Sequence, residues 1–266
     1  MKKALALLVA LFTMMLAAPA GAQDTSIMLV HGIPDTDVDI VVDGSVVIAD
    51  FAFGDTQDAS AFAGQTLAGL TVNLANTDTV ALDLGDFAVP ASGNHTVIAH
   101  LDADGNPAAT VFENDTSAIA AGNGRLVVRH TAAAPAVDIL ANGSAAFTNV
   151  ANGAEGSADL AAGTISAEVV PTGATEPVVI GPADLTITEG SSLIVYAVGS
   201  LDDDNLTVLT QSISGLGTAP SAVSTGNSPV APSDSGNGTA VLLVVALAGL
   251  GLIGIGAARR GATVRG

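Results

Sequence analysis

Chemistry in this chain would have to rest on four histidines and on aspartates, because there is no cysteine. The lack of thiols excludes disulfides, zinc–thiolate sites, iron–sulfur clusters and thiol catalysis. His31 and His130 each close an apolar run, Ile27-Met28-Leu29-Val30 and Leu126-Val127-Val128-Arg129. A residue that recurs at the same place in two segments has a role a domain can hold twice. The expectation is a structural imidazole at a strand end, bonded to a loop carbonyl. A Ser-His-Asp site could be assembled from His31, Asp39 and a serine, but no G-x-S-x-G elbow supports it. Asp39 and Asp138 recur in the same way, each between apolar neighbours. They are expected to point outward or to tie down the preceding Pro-containing loop. His95 and His100 stand five apart on one expected strand, so they face opposite ways and cannot share a metal without a bulge. Asp102, Asp104 and Asn106 alternate like the start of a calcium loop, and Asp202-Asp203-Asp204-Asn205 takes a similar place later. The distal bidentate glutamate of an EF-hand is missing, which favours a polar hairpin turn. No catalytic, cofactor or metal site is assigned, and no enzyme is expected. Sequons begin at Asn94, Asn114, Asn142, Asn205 and Asn237, as an Asn-, Ser- and Thr-rich surface produces by coincidence.

The elements that would carry these residues repeat. Val38-Asp39-Ile40 returns as Val137-Asp138-Ile139, and Asp43-Gly44-Ser45 as Asn142-Gly143-Ser144. A period near 100 residues is a whole domain rather than a solenoid unit. Asp-Gly and Asn-Gly between alternating runs are strong hairpin signals, since both turn residues take positive φ. Strands are expected in the first copy at Gln65–Leu74, Thr79–Leu84, His95–Leu101 and Ala108–Glu113, after the hairpin. The second copy offers Arg125–His130, Ala136–Ala141, Ala145–Val150, Thr164–Val170, Pro177–Ile180, Ser192–Val198 and Leu206–Thr210. About seven short strands per copy argue for a sandwich. Asp58–Leu67 and Asp115–Ala121 have room for a few helical turns but no clean 3.6 period. The fold class is all-β: two tandem Ig-like or transthyretin-like sandwiches over 23–121 and 122–215. The boundary falls near Ala120–Asn123, and each copy is large enough to carry its own core.

The run from Leu29 through His31-Gly32-Ile33-Pro34-Asp35 and Val38-Asp39-Ile40 to Asp43-Gly44 resembles the opening motif of the bacterial and archaeal domain of unknown function numbered 4397. Asp50-Phe51-Ala52-Phe53-Gly54-Asp55 is similar to the segment that follows it. The second copy departs further, with Ala133-Ala134 where the first has Pro-Asp. The resemblance covers Ser26 to about Gly215. It implies a secreted or surface-anchored β domain, often in tandem, and nothing about chemistry.

The ends place the protein. Met1–Ala22 has Lys2 and Lys3, an apolar stretch and Ala20-Gly21-Ala22, the pattern of a cleaved signal peptide. Residues 216–238 read as a Ser/Gly/Pro-rich stalk. Thr239–Ala258 is uncharged and apolar over 20 residues, about 30 Å as a helix, which matches a bilayer core. Arg259, Arg260 and Arg265 make 259–266 a basic cytoplasmic tail, leaving the acidic domains outside. The alternative for this end is a sorting signal cut after recognition, although no LPxTG motif precedes the span. Two arginines, Arg125 and Arg129, stand among all 26 acids between the termini. Such a surface repels phosphate backbones and excludes nucleic acid. The expectation is a membrane-anchored, non-enzymatic binding or structural protein of the cell envelope, its ligand an envelope protein or polysaccharide. The alternatives are a calcium-dependent adhesion module and a weak extracellular hydrolase.

Overall fold

The structure, a computed structural model, describes residues 25–218. The signal peptide, the membrane span, the basic tail and all but the first three stalk residues lie outside the described residues.

Each copy contributes eight strands. The first has β1 (Ser26–His31), β2 (Val38–Val42), β3 (Ser45–Phe51), β4 (Thr56–Asp58), β5 (Thr66–Leu74), β6 (Val80–Ala88), β7 (Asn94–Leu101) and β8 (Pro107–Glu113). The second has β9 (Asn123–His130), β10 (Val137–Ala141), β11 (Ser144–Val150), β12 (Glu155–Ala161), β13 (Gly163–Pro171), β14 (Ile180–Ile187), β15 (Ser192–Val198) and β16 (Thr207–Ile213). The sheets are β4-β1-β7-β8 with β3-β2-β5-β6, and β12-β9-β15-β16 with β11-β10-β13-β14. The second pair repeats the first strand for strand. β1 runs parallel to β7 and β9 parallel to β15, while the remaining pairs are antiparallel.

Period-2 alternation explains which faces meet. Along β1, Ile27 and Leu29 join Val97, Leu67 and Phe87 between the sheets of the first sandwich. Along β9, Leu126 and Val128 join Val137, Ile139, Val169 and Val195 in the second. The hairpins β2–β3 and β10–β11 turn at Asp43-Gly44 (φ 48° and 72°) and Asn142-Gly143 (φ 50° and 75°), the left-handed pair that the sequence demanded.

The other faces of β1, β7 and β8 are buried as well. Val30, Ile98 and Phe112 of the first copy pack against Val127, Ile194, Tyr196 and Val198 of the second in a shared core cluster. The sheets β4-β1-β7-β8 and β12-β9-β15-β16 therefore close on each other along a seam. Chain connectivity reinforces it: Ile119, between the copies, is fully buried and bridges to Gly217, with its N–H on the Leu216 carbonyl. Leu216–Thr218, assigned from sequence to the stalk, thus belong to the folded part. The described residues form one compact unit, and all the core clusters lie inside it.

Several boundaries differ from expectation. The strand expected at Pro177–Ile180 begins where that span ends, because Gly181-Pro182 reads as a turn although Ala183, Leu185 and Ile187 carry the alternation onward. β4 and β12 were not anticipated. They are polar or small-residue edge strands that pair through the main chain and present no apolar run. Asp58–Leu67 holds only a single 3₁₀ turn, Ser60–Phe62, and Asp115–Ala121 holds no helix.

Candidate functional site

The paired histidines sit at strand ends on the inner face of each sandwich. His31 is fully buried, stacks on Phe51 at 5.7 Å, and donates from Nε2 to the Thr36 carbonyl at 2.6 Å. His130 does the same to the Pro135 carbonyl at 3.0 Å. Burial pushes both imidazoles below the ordinary histidine value. Each ring thus ties the loop after its strand back to the sheet.

Asp39 faces away from the inter-sheet core, as expected, but it is not solvated, nor does it hold the Pro34 loop. Its carboxylate accepts the N–H of Asp50 and the N–H of Asn76, both at 2.9 Å. Asp138 repeats this with the N–H groups of Asn149 (2.7 Å) and Gly173 (2.9 Å). Asp50, Asn76, Asn149 and Gly173 all have positive φ, so one carboxylate pins two left-handed turns in each copy. The donors hold the Asp138 carboxyl below the usual aspartate value. A His31–Asp39 catalytic pair is not assembled, since each side chain is bonded elsewhere and they occupy opposite faces of the sandwich layer.

His95 and His100 also face opposite ways. His95 reaches the Ser92 carbonyl at 2.7 Å. His100 is buried at the seam, between the Leu101 carbonyl and the Thr110 hydroxyl, each at 2.8 Å. The Asp102 loop is a capped turn: Asp102 Oδ1 accepts the N–H of Asp104 (2.9 Å) and of Asn106 (2.8 Å). In the second loop Asn205 accepts the Ser200 N–H and Ser200 the Asp203 N–H. Among the described residues no three His, Asp or Glu side chains converge as a metal site.

With so few cations, exposed acids repel one another, and sodium chloride is expected to raise the thermal midpoint smoothly as screening closes to about 10 Å at 0.1 M. Magnesium and calcium at equal ionic strength should do no more than sodium. A saturable, calcium-selective gain lost in Asp104→Ala would instead establish a calcium loop.

Both of the arginines among the described residues lie at the seam. Arg129 is 1% exposed. It donates to Glu155 (2.8 Å), to the Tyr196 hydroxyl (2.9 Å) and to Asn114 Oδ1 (2.7 Å), with its guanidinium 4.3 Å over the Phe112 ring. Asn114 in turn donates to Asn94 and Thr96, and Thr96 and Tyr196 both donate to Gln211. Arg125 forks onto Asp159 and reaches Asp115 of the first copy at 2.8 Å. Composition had marked these two cations as isolated but not as the fastening between copies.

The first sandwich also contains a cavity of about 320 Å³ between its sheets, lined by Ile27, Leu29, Ile48, Leu67, Phe87 and Val97 among others. Its polar lining is Gln57 and Asp58 on the edge strand β4.

A family model described as Domain of unknown function (DUF4397) matches twice, over residues 25–140 and 132–228. The chain belongs to this family. No curated protein matches the chain.

The two DUF4397 copies differ at the cavity. Ile48 and Gln57 of the first correspond to Phe147 and Gly156 of the second, through the pairs Ile40–Ile48 and Leu29–Gln57 against Ile139–Phe147 and Val128–Gly156. Phe147 packs against Gly156: a Cβ there would stand 2.5 Å from the ring. The second DUF4397 copy thus fills with an aromatic ring what the first leaves open.

Proposed function

We propose that the protein is a non-enzymatic binding or structural protein of the cell envelope. It is held in the cytoplasmic membrane by Thr239–Ala258, with its acidic sandwiches outside. Each sandwich is of the Ig-like or transthyretin-like kind, a reading supported by the first strand pairing parallel to the seventh. An envelope protein or polysaccharide is the partner class. The observation that carries this reading is the commitment of the chemically capable side chains. His31, His100, His130, Asp39, Asp138 and both arginines are bonded within the fold, holding turns or the seam. Side chains spent in this way build a rigid displayed body rather than a reaction centre. The Asp102 carboxylate is likewise occupied by backbone donors, which does not favour calcium-dependent adhesion.

Fractionation tests the placement. The full chain should sediment with washed membranes and lose its acidic part to protease added outside intact cells. The form ending at Gly238 should appear in the medium. Retention of that shorter form in salt-washed membranes would overturn the anchor.

A further inference from the structure

We propose that the cavity of the first sandwich is a binding site for one neutral, single-chain, hydrocarbon-like molecule, a linear alcohol or the chain of an uncharged ester, entering between β3 and β4. Four observations carry the assignment.

The first is the contrast between the copies. The same inter-sheet space is occupied by Phe147 over Gly156 in the second copy and left open by Ile48 and Gln57 in the first. Filling this space is therefore compatible with the fold, and the first copy does without the contacts that filling supplies. The second is the rim. Val47 and Phe62 both line the cavity yet are 47% and 38% exposed, so apolar surface leads from solvent inward. An apolar funnel into an apolar interior is the form of a hydrophobic ligand site.

The third is size. The cavity lies at the small end of ligand pockets, which run from about 300 to 1,000 Å³, and accommodates one slender chain better than a branched lipid. The fourth is charge. Residues 25–121 contain no Lys or Arg, and the arginines of the second copy are bound at the seam. Asp58 lines the entrance, and the donors of Ser60 hold its carboxyl below the usual aspartate value. A carboxylate or phosphate head would meet a negative charge with no cation to offset it. The exposed amide of Gln57, whose nearest partner is the Asp58 carbonyl at a loose 3.4 Å, can bond a hydroxyl or an ester oxygen.

The test uses the form ending at Gly238, which contains every described residue. N-phenyl-1-naphthylamine, a neutral apolar fluorophore, is bound and then displaced by linear 1-alkanols from hexanol to dodecanol. One site per chain is expected. Each added methylene should tighten binding about fourfold, the equivalent of ~0.8 kcal/mol per buried CH₂, until the chain fills the cavity and the series levels off. Decanoate at pH 8 should bind about tenfold more weakly than decanol, because its charge lies beside Asp58. The double variant Ile48→Phe/Gln57→Gly, which copies the second sandwich, should lose binding and keep or raise its thermal midpoint. Should that variant fail to fold, a ten-carbon alcohol carrying a diazirine, photolysed with the full chain in membranes, decides the matter. Label confined to the 47–62 segment supports the site. Label at the seam, displacement indifferent to chain length, or absence of a displaceable fluorophore overturns it. Decanoate binding as tightly as decanol overturns the neutral-ligand assignment.

Discussion

Replacing Arg129 by alanine is expected to remove about 3 kcal/mol of unfolding free energy, the low end of the range for breaking a buried charge pair, because its partner Glu155 is 36% exposed. The side chain is almost wholly enclosed, so water cannot replace it at the Asn114 amide oxygen it serves. The loss combines three effects. A charge-assisted bond to Glu155 disappears, Asn114 Oδ1 is left without its donor, and the guanidinium leaves a hole over Phe112. Arg129→Lys keeps the charge but not the planar fork that serves three partners at once, so it should recover only part. Arg125→Ala should cost less, because its carboxylate partners Asp115 and Asp159 are 56% and 34% exposed and can turn to water, whereas Arg129 also serves the buried Asn114 and Tyr196. Urea unfolding followed by circular dichroism measures all three. An Arg129→Ala protein within about 0.5 kcal/mol of the parent, inside the range of ordinary surface changes, would mean that apolar contacts alone hold the seam.

The seam also shows where sequence reasoning reached and where it stopped. The Asp43-Gly44 and Asn142-Gly143 hairpins were legible because a two-residue turn of positive φ leaves few other solutions. The repeat was legible for the same reason, since it recurs at positions that the backbone constrains. The histidines at 31 and 130 were placed correctly on loop carbonyls, because a polar residue closing an apolar strand needs a nearby partner. Asp39 and Asp138 were harder. Alternation gives the face but not what covers it, and the covering groups, Asn76 and Gly173, lie 37 and 35 residues away. β4 and β12 escaped because an edge strand can be held by backbone bonds without any apolar signal. The cavity could not be read at all. It depends on Ile48 against Phe147 and Gln57 against Gly156, two exchanges that disturb no apolar alternation the sequence shows.

Acidification from pH 7 to 5.5 is expected to weaken the fold. His31, His100 and His130 are buried, and burial pushes each below the ordinary value of 6.5. The unfolded chain therefore takes up protons near 6.5 that the folded chain refuses. The histidine contribution is fully present above that pH and is lost as the pH falls from 6.5 toward the folded values. Asp37 and Asp55 near His31, and Asp102 near His100, act the other way, but burial outweighs them. Carboxylates act in a separate window. Asp102, Asp115 and Asp138 are held below 3.8 by hydrogen-bond donors, so their contribution persists above 3.8 and is lost only as the pH falls through their folded values. Between pH 7 and 5.5 these three carboxylates remain ionised in both states. The slope there belongs to the imidazoles. Chemical unfolding across this range should show falling stability, and His100→Gln should flatten part of the slope. Imidazole resonances of all three residues titrating near 6.5 with stability unchanged would sink the argument. His100 and His130 stand close enough across the copies to repel when charged. Protonating one then makes the second harder to protonate in the closed seam but not in an opened one. Because Arg129 holds that seam shut, a looser seam in Arg129→Lys lets the folded chain take up these protons more readily, and its pH slope should be shallower than that of the parent.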